Sequence, residues 1–252
     1  MSKRALASLL FLFLFSTACQ TRANSWTRIQ RDGILRVGLD PTYPPFETLA
    51  DNSVVGLDAE LITQIGDNLG LAIQFDVIGY DGLYDALLTG RVDVLASALI
   101  VDETRTKTFA YSNPYFNAGQ VLIVAEGGLL RKQAALQNGK IAVELGAAGH
   151  VVATEWANSA ETLQLIPHNT AEAALHAVAN QEADAAIVDA VSGRIGIATI
   201  AGLELADEAV TVEPFAFVVR RDDSQLLRQL NTALGNLKEN GSLNELITTW
   251  MR

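Results

Sequence analysis

Tyr80 to Arg105 reads YDGLYDALLTGRVDVLASALIVDETR, and the order of its parts decides the fold. Gly82 to Leu88 has its apolar residues at helical spacing, Gly90 is the residue type that ends a helix in a left-handed conformation, and Val92 to Ser97 is an apolar run of strand length. Helix, glycine turn, aspartate and apolar strand together form an α/β unit. The pattern returns further on, where Ala171 to Asn180 reads as a helix and Asp184 opens the apolar strand Ala185 to Val188. One α/β lobe is therefore followed by a second.

The flanking segments extend the pattern. Upstream, Ile34 to Leu39 reads as a buried strand, and Asp40 to Glu47 as a loop stiffened by Pro41, Pro44 and Pro45. Leu57, Leu61, Ile65 and Leu69 recur every four residues between Gly56 and Gly70, which marks a helix, and Ile73 to Ile78 is the next strand. Downstream, Lys140 to Leu145, Thr162 to Ile166 and Phe215 to Val219 read as strands, and the chain closes with two helices, Leu226 to Leu237 and Leu243 to Trp250. The expected class is α/β: two doubly wound lobes with helices on both faces of each sheet. In such folds ligands bind at the carboxyl ends of strands. Asp40, Tyr43, Ser97, Ala98, Glu144 and Asp189 all fall at or just past those ends, which points to one shared site.

The chain has 252 residues, 49% of them hydrophobic and 19% charged, enough for one or two domains with real cores. Residues 1–19 stand apart. Lys3 and Arg4 precede the apolar run Ala5 to Phe15, too short for the roughly 20 residues that span a bilayer but suited to a secretory signal. Ser16-Thr17-Ala18-Cys19 follows. The lone cysteine resembles the lipidated cysteine of bacterial lipoproteins, although Ser16 stands where that pattern has Leu, and Ser16-x-Ala18 also suits ordinary signal cleavage. Residues 20–30 read as a tether. Loss of Lys3 and Arg4 leaves 16 basic against 29 acidic residues, a balance that argues against nucleic acid and anionic headgroups as partners. Membrane association is expected only through an anchor at Cys19, and one cysteine excludes a disulfide within the chain.

Several segments resemble the polar amino-acid-binding proteins of bacterial ABC importers, solute-binding family 3. Gly56-Leu57-Asp58-Ala59-Glu60-Leu61, followed by Ile65, Gly66 and Leu69, follows that family's signature, with Ala59 smaller than usual. LRVGLDPTYPPFE matches its first strand and loop, ETRTKTFAYSNPYF its ERxxxxxFSxPY segment, and KENGSLNELITTW its last helix. The likeness runs from about Ile34 to Trp250. It implies the type II periplasmic-binding-protein fold, with lobe 1 from residues 26–117 and 214–252 and lobe 2 from 118–213. Two crossing strands, near Asn117-Ala118 and Glu213-Pro214, would form a hinge that closes the lobes on a ligand.

The same resemblance assigns roles. Arg105 falls where the family grips the ligand's α-carboxylate, a task that suits the two parallel donors of a guanidinium; within its charged run it also reads as an ordinary surface residue. Asp189 falls on the acceptor for the α-ammonium, and it equally suits a helix N-cap. Tyr43 and Tyr80 match the aromatic pair around the ligand side chain. Asp40 matches an acidic position at the distal end, and turn chemistry beside Pro41 competes with that role. Two hydroxyls usual in the family are missing, because Ile100 and Ala148 stand in their places. Backbone N–H groups at Ile100 and Ala148 remain to hold a carboxylate. Glu144 lies where family members vary with ligand preference, and with Asp40 it favours a basic amino acid such as arginine, lysine or ornithine, ahead of glutamine-like ligands.

His150, His168 and His176 lack metal-ligand spacing, and neither G-x-S-x-G nor a P-loop occurs, so no cofactor or metal is expected. Gly146-Ala147-Ala148-Gly149 reads as a turn into a helix. The expected protein is a monomeric, non-enzymatic receptor delivering an amino acid to an ABC permease. Two alternatives stand beside it: a cyclohexadienyl-type dehydratase on the same scaffold with Glu144 as its acid, and a sensor that docks on a membrane signalling partner.

Overall fold

The computed structural model describes residues 25–128, 138–160 and 162–252. Residues 1–19, expected to be an export signal ending at Cys19, and the start of the expected tether lie outside the described residues. The first part of the chain runs α1 (Ser25–Asp32), β1 (Ile34–Leu39), β2 (Thr42–Tyr43), β3 (Glu47–Ala50), β4 (Ser53–Val55), α2 (Leu57–Leu69), β5 (Ala72–Val77), α3 (Leu83–Thr89), β6 (Val94–Leu95), β7 (Phe109–Tyr111) and β8 (Phe116–Asn117). It continues with β9 (Gln120–Ala125), β10 (Lys140–Glu144), α4 (Ala148–Ser159), β11 (Gln164–His168), α5 (Ala171–Ala179), β12 (Ala185–Asp189), α6 (Ala190–Thr199) and β13 (Leu203–Ala209). It then returns through β14 (Pro214–Phe215) and β15 (Val218–Arg220) to α7 (Ser224–Glu239) and α8 (Ser242–Trp250).

Two five-stranded sheets share one plan. The first is ordered β5-β1-β6-β15-β7 and the second β11-β10-β12-β9-β13. In each, three parallel strands come first, and the fourth strand, antiparallel to the third, is the one the chain forms just after crossing from the other sheet. The sheets are therefore mixed, where a purely doubly wound reading expects parallel strands throughout.

Alternation along the strands covers both faces of each sheet. In the first, Val37 and Val94 pack with Leu61 and Ile65 of α2 and Leu230 and Leu234 of α7, while Leu95 faces Leu83 and Leu87 of α3. In the second, Ile123 and Ala186 pack with Leu175 of α5, while Leu122, Val143 and Ile187 pack with Ala153 of α4. Burying one such aliphatic side chain contributes about 1.5–3 kcal/mol. Gly70 (φ 67°) and Gly90 (φ 81°) end α2 and α3 in the left-handed region, as their placement in the sequence predicts.

Three expectations are corrected. Residues 25–30, read as tether, belong to α1, whose Trp26 and Ile29 are buried one helical turn apart. Val92 to Ser97 is a strand only at Val94–Leu95. Phe215 to Val219 is not one strand: Phe215 pairs with Phe116 at the crossing, and Val218 pairs with Leu95 in the first sheet.

A buried ion network fastens α1 to the first lobe. The Asp93 carboxylate accepts from Arg36 N (3.1 Å), Arg36 Nη2 (2.7 Å) and Arg28 Nη2. Burial pushes its carboxyl up, but the hydrogen bonds from Arg36 and Arg28 outweigh that and hold it below its ordinary range. Arg220, also buried, donates to Leu87 O (2.7 Å), Val92 O (2.9 Å) and Ser25 Oγ (3.1 Å).

The chain crosses between the sheets twice, and the crossings pair with each other, Pro214 opposite Asn117. The Asn117 side chain ties them further: Nδ2 donates to Thr211 O (3.1 Å), and Oδ1 accepts from Glu213 N (2.7 Å) and Gly119 N (3.2 Å). At Gly119 a Cβ would lie 2.4 Å from Thr211 O, so only glycine allows the backbones to approach this closely.

Candidate functional site

The carboxyl ends of β1 and β6 set the floor of the site. Asp40 follows β1; its N–H donates to Ser97 Oγ (3.0 Å), and its Oδ2 accepts from Tyr80 N (2.8 Å). Asp40 thus holds the turn that carries Tyr80. Ser97 Oγ in turn donates to Glu47 Oε1 (2.9 Å), so the hydroxyl is committed within the protein. Ala98 stands at φ 45°, an uncommon conformation for a non-glycine residue, and its N–H donates to Asp58 Oδ2 (2.7 Å). The Tyr115 hydroxyl donates to the same oxygen (2.6 Å).

Asp40, Tyr43, Tyr80, Ser97, Ala98 and Ile100, with Glu47, line one cavity of about 350 Å³. Tyr43 stacks on Phe46 with ring centroids 5.5 Å apart. Its phenol is pushed up by burial first and then by the negative charges of Asp189, Glu47 and Glu213, which brings the second lobe's Asp189 into its electrostatic reach. Tyr80 and Ile100 are also shared with a second cavity of about 560 Å³, which contains Arg105 and is bordered by Asp81, Asp85, Asp102 and Glu103.

Arg105 belongs to the short 3₁₀ turn Glu103–Arg105. Its Nε donates to Asp102 Oδ2 (3.1 Å), and its guanidinium carbon lies 4.2 Å from the centre of the Tyr84 ring. Both terminal nitrogens are without a partner among the described residues. Asp102 and Tyr84 therefore hold the planar group from one edge and one face, leaving its forked end for a carboxylate. Ile100 forms an isolated bridge with Phe215 whose hydrogen bonds are made by its neighbours, Val101 N to Pro214 O and Ala216 N to Leu99 O (both 3.0 Å). The Ile100 N–H has no partner among the described residues.

The second lobe supplies the remaining residues. Ala148 opens α4 after Gly146 (φ 83°), and no side chain caps the helix; His150 N donates to Ala147 O (3.1 Å), which leaves the N–H groups of Ala148 and Gly149 without a partner among the described residues. At Gly149 a Cβ would sit 2.6 Å from Ile187 O; glycine lets α4 start directly against β12. Asp189 caps α6, its Oδ1 accepting from Val191 N (3.0 Å) and Ser192 N (2.9 Å), while Oδ2 has no partner among the described residues. Glu144, half-buried at the end of β10, also has an unpartnered carboxylate among them. Glu144, Ala148 and Asp189 line neither first-lobe cavity.

Sequence reasoning missed the two carboxyls beneath the first cavity. Glu47 is 1% exposed and Asp58 is fully buried, on segments joined by the bond from Asp58 N to Phe46 O (2.9 Å). Glu47 Oε2 and Asp58 Oδ1 have no hydrogen-bond partner among the described residues. Burial, reinforced at Glu47 by the Asp58 charge, pushes both carboxyls well above the usual carboxylate range. Both fall inside segments that carry the family resemblance, LRVGLDPTYPPFE and Gly56 to Leu61, but nothing local in either shows that the two carboxyls meet in the core.

With this geometry in view, the sequence profile of the bacterial extracellular solute-binding proteins, family 3, matches residues 35–252. The chain belongs to that family. A probable histidine-binding protein of Campylobacter jejuni is 28% identical over 74% of this chain and 74% of its own length. The ABC transporter arginine-binding protein 1 of Escherichia coli K12 is 24% identical over 99% of both. Among solved structures, the L-cystine solute receptor of Neisseria gonorrhoeae, in its unliganded open conformation, is 25% identical over 90% of this chain and 96% of that one, with a TM-score of 0.75. An ancestral cyclohexadienyl dehydratase, 21% identical over 91% of this chain and 97% of that one, shares the fold with a TM-score of 0.77. Its relatives are mostly amino-acid-binding proteins of ABC transporters, and the fold is one that dehydratases share. Among the described residues no helix is long and apolar enough to cross a membrane, and no group of three or more His, Cys, Asp or Glu side chains could hold a metal ion.

Proposed function

We propose that this chain is the solute-binding component of an ABC importer and that it takes a basic amino acid between its two lobes. One observation carries the reading: Asp40, Tyr43 and Tyr80 line one cavity, and Arg105, whose terminal nitrogens have no partner among the described residues, lines the adjoining cavity that shares Tyr80 and Ile100. An α-amino acid has a carboxylate for Arg105 and the N–H groups of Ile100 and Ala148, an ammonium for Asp189 Oδ2, and a cationic side chain for Asp40, with Glu144 closing on it from the second lobe. Aromatic faces suit both an aliphatic stem and a cation. Because these groups divide between two lobes, the ligand favours the closed arrangement, rotation occurring at the paired crossings near Asn117 and Pro214. Export by residues 1–19, lipidation at Cys19, a monomeric state and docking on permease subunits complete the proposal.

Isothermal titration calorimetry with the common amino acids and ornithine tests it. Arginine, lysine or ornithine is expected to bind most tightly; tight binding of glutamate or aspartate with no response to a basic ligand refutes it. The second reading, a cyclohexadienyl-type dehydratase, is favoured by the shared fold and by the unpartnered Glu144 carboxylate, and measurable prephenate turnover would establish it in place of the first.

A further inference from the structure

Two buried carboxyls without a cation partner are costly unless a proton replaces one of the charges. Glu47 and Asp58 are in that position. Each has one oxygen fixed, Glu47 Oε1 by Ser97 and Asp58 Oδ2 by Ala98 N and Tyr115, and each has one buried oxygen with no partner among the described residues. The groups facing the pair leave the charge uncompensated. They are Asp40 after β1, Ser97 and Ala98 after β6 and the Tyr115 hydroxyl, with Tyr43 on β2 lining the same cavity as Glu47; the charges of Asp189 and Glu213 act on Tyr43. No lysine or arginine is hydrogen-bonded or ion-paired to either carboxyl among the described residues, unlike Asp93, which has Arg28 and Arg36.

We propose that Glu47 and Asp58 hold one proton between them beneath the ligand cavity and give it up to solvent when a cationic side chain settles above, so that a basic solute binds more tightly as pH rises. The path is short. The cavity that contains Asp40 is also lined by Glu47, and Asp40 N, Ser97 Oγ and Glu47 Oε1 form one hydrogen-bonded chain. A cation at Asp40 supplies the positive charge the pair lacks, which shifts the pair toward its fully ionised form. A neutral ligand supplies none and leaves the proton in place. Glu47 thereby acts as a positioning residue that discriminates cationic from neutral side chains by charge, without touching the ligand's backbone groups. The assignment rests on the basic-ligand reading above.

The test is calorimetry of arginine binding to the full mature chain at pH 7.0 in buffers of differing ionisation enthalpy. At that pH the ligand's own α-ammonium holds its proton. The wild type is expected to release about half a proton to one proton per arginine, with affinity rising roughly three- to tenfold per pH unit. Glu47→Gln keeps the size and the Ser97 contact; it is expected to bind arginine with the release and the pH slope lost. Buffer-independent heat in the wild type overturns the inference while leaving the basic-ligand reading intact. Release in Glu47→Gln equal to that of the wild type also overturns it, since the proton then comes from elsewhere. Absence of binding by arginine, lysine and ornithine at every pH removes the basic-ligand reading and this inference together.

Discussion

Replacing Arg105 by alanine separates ligand binding from folding, and its size can be worked out from the contacts. Within the protein, Arg105 makes one pair with Asp102, whose side chains are 48% and 38% exposed, and one stacking contact with Tyr84. An exposed pair contributes about 0–1 kcal/mol and an exposed cation–π contact about 0.5–1 kcal/mol, so the melting temperature should fall by only a few degrees. Binding is a different matter. A hydrogen bond to a charged group contributes about 1.5–3 kcal/mol, and on the proposed reading the free fork of Arg105 would make two to the ligand's carboxylate. Ile100 and Ala148 bring no hydroxyl to replace them, only N–H groups. The loss is about 3–6 kcal/mol, or roughly a hundredfold to ten-thousandfold in affinity, which takes a micromolar ligand to about 0.1–10 mM. Titration calorimetry of the variant beside its thermal melt reads both quantities. Affinity within tenfold of wild type, with the fold intact, would show that the carboxylate is held elsewhere.

Three further outcomes follow from the buried groups and the close contacts. Asp93→Ala leaves the Arg28 and Arg36 guanidiniums without their shared buried partner; stability to urea should drop by about 3–5 kcal/mol while ligand affinity in the folded fraction is unchanged. Glu47 and Asp58 are raised from 4.5 to about 9 and from 3.8 to about 7, so between these limits the folded state binds more protons than the unfolded chain. Stability of the ligand-free protein should therefore fall as pH rises from about 5 to 9, and Glu47→Gln should flatten that slope in denaturant titrations. Gly149→Ala forces α4 away from β12, because the new methyl would sit 2.6 Å from Ile187 O; a loss of about 1–3 kcal/mol in stability together with weaker ligand binding is expected, measured by melting and calorimetry.

What was legible in the sequence had a local cause. Gly70 and Gly90 announce helix ends because their conformation disfavours other residues, and the periodicity of Leu57, Leu61 and Ile65 shows which face is buried. Asp189 does act as the N-cap that its position suggested, and Gly146 to Gly149 does lead into a helix. What escaped depends on long-range pairing. The run Phe215 to Val219 looks like one strand, and only the arrival of Phe116 on one side and Leu95 on the other divides it. Residues 25–30 are polar enough to read as tether; Trp26 and Ile29 are buried only because the first helix lies against α7 and joins the core that holds Leu226 and Leu230, while Arg28 and Ser25 bond to Asp93 and Arg220. Glu47 was invisible for the same reason, since its neighbours Asp58 and Ser97 are eleven and fifty residues away.

The double crossing has a mechanical consequence. Two separate strands between rigid bodies allow them to twist, shear and swing independently. Here the side chain of Asn117, the bond from Ala118 N to Glu213 O (2.9 Å) and the near-contact at Gly119 bind the strands into a single strap. A strap resists twisting about its length and sliding of one strand along the other, and it bends readily across its width. Such a strap would leave the lobes a freedom close to that of a door on its pins. On the proposed reading, a ligand that shuts it would have little more than one angle to freeze, and most of its binding energy would remain available as affinity.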